Sequence, residues 1–117
     1  MVEKLKSLLG KIIAEKGAVT LFAIMRMDDL TDKWSVIFSA PWVTTESKDA
    51  DFSYIVTKLN EGLSEEESAS IARVGIFAKD HHIPQLFLRY KADQKIVDEK
   101  VNGFAVHEAY ILASNPE

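Results

Sequence analysis

Glu108 is the residue with the strongest claim to chemistry. It sits in the run FAVHEAYIL, which alternates as a strand does. Phe104, Val106, Tyr110 and Leu112 share its side, so the carboxylate is expected on the more apolar face. A carboxylate in that setting is at a ragged edge, paired with an arginine, or neutral with a raised pKa. A buried carboxylate there can be a catalytic acid or a ligand-orienting group in an apolar pocket. The paired form is often only structural. Arg26, Arg73 and Arg89, all in predicted strands, are the candidate partners.

A second candidate comes from hairpin register. KIVDEKV and FAVHEAYIL flank Asn102-Gly103, the preferred pair for a two-residue type I′ turn. That loop sets Val101 opposite Phe104, Glu99 opposite Val106, Asp98 opposite His107, Val97 opposite Glu108 and Lys95 opposite Tyr110. Asp98 and His107 then form an acid–base pair, able to move a proton if their face lines a pocket. On a solvated face the same pair is a cross-strand contact worth about a few tenths of a kcal/mol. Glu108, His107 and Asp98 are therefore the catalytic candidates, and no motif confirms them.

The stretch IFSAPWVTTESKDADF, 37–52, has the outline of a strand running into an active-site turn. A strained serine nucleophile would need flanking glycines, and a phosphate cradle a Gly-rich loop; neither is present. Pro41 ends ladder pairing, Trp42 and Val43 pack over the sheet edge, and Thr45, Ser47 or Asp49 caps the next helix. The turn reads as architecture, with Trp42 the one side chain that could anchor a ligand. Trp42, Arg73 and Arg89 are the binding candidates.

Metal chemistry has weak support. Asp80, His81 and His82 fall in a short connection, where adjacent residues of an extended chain point to opposite sides. No H-E-x-x-H spacing occurs. Asp28, Asp29 and Asp32 lack the glycine and terminal glutamate of a calcium loop, and read as a polar turn. No metal or cofactor is expected.

The elements that position these groups follow from periodicity. Residues 2–16 form an amphipathic helix stopped by Gly17, and 49–61 a second one stopped by Gly62. Ser64 and Glu67 make a capping box for a short third helix. AVTLFAIMRM and WSVIFSA form a hairpin, and IARVGIFA, PQLFLRYK and the two halves of the Asn-Gly hairpin are further strands. The order α-β-β-α-(α)-β-β-β-β implies an α+β two-layer sandwich, with a mostly antiparallel sheet of five to six strands and two main helices on one face.

At 117 residues this is one domain. It has no cysteine, which excludes disulfides and thiolate metal sites and favours a cytoplasmic location. No run approaches the length of a membrane span, and the charged N-terminal segment is unlike a signal peptide. A net charge of −4 with mixed signs argues against a nucleic-acid partner. Several strands are apolar on both alternations, more than two helices can cover. A homodimer through the open sheet face is the expected solution, with a small apolar ligand as a variant. The expected function is a non-enzymatic binding or interaction module; the alternative is a small enzyme built on Glu108.

Overall fold

The computed structural model describes residues 1–27, 33–78, 81–101 and 104–115. The aspartate turn at 28–32, Asp80 and the Asn102-Gly103 turn lie outside the described residues.

Helix α1, Val2–Lys16, buries Leu5, Leu8 and Ile12 on one stripe. It stops at Gly17, whose φ of 108° is glycine territory and whose N–H returns to the Ile13 carbonyl. Strands β1, Leu21–Met27, and β2, Trp34–Ala40, pair antiparallel with Phe22 opposite Phe38 and Ile24 opposite Val36. Helix α2, Lys48–Gly62, turns Ile55 and Leu59 inward. Its start at Ser47 has no side-chain cap; Ser47 Oγ instead donates to Asp51 Oδ2 at 2.6 Å. Helix α3, Glu65–Ala69, carries the predicted reciprocal capping box between Ser64 and Glu67.

Strand β3, Ile71–Ala78, pairs parallel to β2. The chain returns to the same end of the sheet through α2 and α3, and a helical crossover of that kind delivers a parallel strand. Strands β4, Lys95–Val101, and β5, Phe104–Ser114, complete a five-stranded mixed sheet in the order β3-β2-β1-β5-β4.

Two expectations need correction. PQLFLRYK is not a strand. Residues His82–Phe87 form a short helix, α4, and Arg89 lies in the turn after it. His81 Nδ1 accepts from the Ile83 N–H at 3.1 Å and caps the helix. Pro84 falls in the first turn, where its missing N–H has no intrahelical partner to lose. The segment then delivers Phe87, Leu88 and Tyr90 onto the sheet face opposite α1 and α2. Ser114 Oγ ties this cover down by donating to the Tyr90 carbonyl at 2.6 Å.

The second face is therefore apolar, as the two-sided strands imply, yet the chain itself covers it. Leu21, Ala23, Met25, Ala109 and Ile111 are fully buried there, while Phe22, Ile24, Phe38 and Leu112 meet the helices on the other side. The sandwich gains a partial third layer, and a dimer mate is not needed to hide this face.

The second correction concerns the last hairpin. Its register is as expected, from Lys95 opposite Tyr110 to Val101 opposite Phe104. The ladder nevertheless steps from Val97–Glu108 to Glu99–Val106, passing over Asp98 and His107. Asp98 has a φ of 47°, in the left-handed region, while the register is the same on either side of it. Each strand swaps faces at this point. Ile96 and Val101, five residues apart, share the second core, whereas Val97 is 58% exposed. Val106 likewise joins Ala109 and Ile111 and does not share the side of Glu108.

Candidate functional site

Glu108 stands on the helix side of the sheet, at the end where β1 finishes and β2 begins. Ladder pairing sets it beside Arg26, and Arg26 Nη2 donates to Glu108 Oε1 at 2.8 Å. The Tyr110 hydroxyl donates to Oε2 at 2.9 Å, and Lys95 Nζ approaches Oε2 at 3.4 Å. The side chain is 21% exposed. Arg26 also lies over the Trp34 ring at 5.3 Å, Trp34 meets Tyr110 at 6.1 Å, and Lys95 lies over Tyr110 at 5.3 Å. Arg26 Nε is buried with no partner among the described residues.

The hydroxyl of Tyr110 beside Glu108 holds its carboxyl below the usual range; partial burial opposes this, and Lys95 and Arg26 add to it. The group is ionised at neutral pH. Of the three sequence possibilities, the arginine-paired carboxylate is the one present, and Arg26 is the arginine. Arg73 is on β3, beyond β1 and β2 in the sheet. Arg89 bonds and stacks on Tyr90. A lowered pKa is opposite to the need of a general acid.

His107 and Asp98 do meet, at 3.6 Å between Nδ1 and Oδ1, with both side chains more than half exposed. Such a pair is screened by water and adds little. His81 and His82 are stacked at 4.6 Å, not splayed, because they enter a helix and not a strand. His81 additionally contacts the Phe77 ring at 4.8 Å, and its Nδ1 is occupied by the cap. Among the described residues no three His, Asp or Glu side chains are grouped to hold a metal.

Trp42 occupies a cluster the sequence did not suggest. Its indole N–H donates to the Ala18 carbonyl at 2.9 Å, and its ring touches Phe38 and Tyr54 at 5.5 and 6.4 Å. Lys16 Nζ lies 5.2 Å from the Trp42 ring and 5.3 Å from the Tyr54 ring. Asp51, buried, is 3.9 Å from the same ammonium. Beyond Tyr54, Lys58 pairs with Glu15 at 2.9 Å, and the Tyr54 hydroxyl also donates to Glu15. An open groove of about 590 Å³ runs past Tyr54 between Glu15, Ser53, Thr57, Lys58 and Glu61. No sequence signal links Lys16, Trp42, Asp51 and Tyr54, since they come from three separate segments.

The sheet edges are the other feature that sequence reading missed. Strand β4 carries Lys95, Asp98, Glu99 and Lys100, with Asp98 in the left-handed region. Those are the usual guards of an exposed edge. Strand β3, IARVGIFA, carries only Arg73, and its one irregularity falls near its start, where the ladder steps from Ile71 to Arg73. Among the described residues no helix is long and apolar enough to cross a membrane. Compared with family models, curated proteins and solved structures, the chain matches none.

Proposed function

We propose that this chain is a non-enzymatic interaction module that self-associates, two copies joining their β3 strands about a two-fold axis. The supporting observation is the inequality of the two sheet edges. A terminal strand presents a row of backbone N–H and C=O groups that another strand can pair in register, so edge chemistry favours a β partner. The β4 edge carries four charged residues against this; 73–78 keeps an unbroken register with β2 and has a single charge.

A second copy suits the strand because an antiparallel two-fold pairing is self-complementary. With the axis at Gly75, Arg73 of one copy faces Phe77 of the other, a cation opposite a ring. Repulsion is small, since neither copy brings an acidic or basic run to the seam. The dimer anticipated from two-sided strands is retained, with its contact moved from the face to the edge.

The small-enzyme reading draws no comparable support. It calls for a closed apolar cavity reaching Glu108 with an arginine or the His107–Asp98 pair in support; the Arg26 contact is there, but the carboxylate is 21% exposed and engaged by three polar partners.

Light scattering coupled to size exclusion tests the proposal. The expected mass is twice 13.1 kDa at high concentration, falling toward 13.1 kDa on dilution. Ala72→Lys, at an exposed position, should weaken the dimer by roughly tenfold or more, since an edge lysine opposes strand addition. A mass of 13.1 kDa from micromolar to millimolar concentration overturns it.

A further inference from the structure

The Lys16 ammonium has an unusual setting for a surface lysine. Two aromatic faces, Trp42 and Tyr54, stand nearly perpendicular at 87° and both approach it within about 5.3 Å. The third wall is Asp51, whose carboxylate is 5% exposed and fixed by Ser47. At 3.9 Å the Lys16–Asp51 separation is at the limit of an ion pair, so the rings contribute much of the placement. Aromatic walls plus a buried carboxylate form a box for a weakly hydrated cation. Lys16 is the last residue of α1, has a side chain 38% exposed, and can swing out without disturbing the core.

We propose that the Trp42–Tyr54–Asp51 recess is a binding site for a methylated lysine side chain of a peptide, and that Lys16 is its tethered occupant. The bound group in the structure, an ammonium on a straight alkyl stem, shows what the recess accommodates. Methylation spreads the charge and lowers the cost of leaving water, while the attraction to the ring faces persists. An unmethylated lysine gains nothing that Lys16 does not already supply, and Lys16 competes at the high effective concentration of an intramolecular group. Methylation is therefore what an incoming side chain needs to displace it. The adjoining groove past Ser53 and Thr57 leaves room for flanking peptide backbone. This site is independent of the β3 edge.

The test is an NMR titration of the full chain that follows the Trp42 indole N–H, assigned with Trp34→Phe. The probe is an N-acetyl trimethyllysine amide; acetyl-lysine amide, choline chloride and sodium chloride at matched ionic strength are the comparisons. The probe should shift the resonance saturably, and roughly 3- to 30-fold more tightly in Lys16→Ala than in the unaltered chain, the range of a cation–π contact. Tyr54→Leu should abolish the shift. Asp51→Asn, which keeps both rings, should weaken it several-fold. Absence of a saturable shift in folded Lys16→Ala, or an equal response to acetyl-lysine amide, overturns the proposal. Choline binding as tightly as the probe overturns the peptide assignment in favour of a free quaternary ammonium.

Discussion

Arg26 and Glu108, eighty-two residues apart, join adjacent strands through a bond of 2.8 Å from Nη2 to Oε1. The pair sits against Trp34 and Tyr110, at the end of the sheet where β1 finishes and β2 begins. Glu108→Gln should cost about 1 kcal/mol in urea denaturation, the usual size for a part-exposed charge-assisted contact. The same contact makes stability pH-dependent. Glu108 has a lowered pKa in the folded chain, so its contribution is complete above the ordinary 4.5 and is lost as pH falls through the lower folded value. The acid limb of the stability curve should flatten in the variant; an unchanged limb and midpoint would show that the pair contributes nothing.

The face swap at Asp98 is open to a comparison of like with like. Val97 and Val101 are four residues apart and would share a face in a regular strand. Val101→Ala should cost about 1–3 kcal/mol, as loss of a buried side chain does, and Val97→Ala within about 0.5 kcal/mol. Equal losses would mean the strand runs through without a change of face.

Tyr54 is pushed up to about 12, mainly by burial and then by the Glu15 carboxylate that accepts its hydroxyl proton. A raised folded pKa leaves the contribution intact below the unfolded value of 10 and removes it as pH climbs through about 12. Near-ultraviolet titration should therefore show a late-ionising component from Tyr54, missing in Tyr54→Phe. The variant should also lose less stability between those pH values. Titration of all the tyrosines near 10 would remove the Glu15 contact from consideration.

Gly75 and Phe77 should be coupled. A Cβ at Gly75 would lie 2.7 Å from Phe77 Cε2, so the ring leans over the bare backbone. In a double-mutant cycle Gly75→Ala should be more harmful beside Phe77 than beside Phe77→Leu, by about 0.5 kcal/mol or more. Strict additivity would show that the ring moves aside freely.

Local chemistry was legible in the sequence wherever it acted locally. Helical spacing marked α1 and α2, Ser64 and Glu67 set the capping box, and the chain flanking Asn102-Gly103 announced the register of the last hairpin. The apolar character of both sheet faces was equally visible, because it is a property of composition at alternate positions. Tertiary structure decided the rest. Leu86, Leu88 and Tyr90 alternate as a strand would, yet a histidine cap, a proline in the first turn and the apolar face waiting beneath favour a helix. The change of face where Asp98 stands opposite His107 alters which side chains are inside, and no period in the sequence encodes it. Lys16, Trp42, Asp51 and Tyr54 meet only because α1 and α2 lie side by side. Spacing along a chain reports neighbours within one element, whereas a site drawn from several elements exists only after packing has chosen their positions.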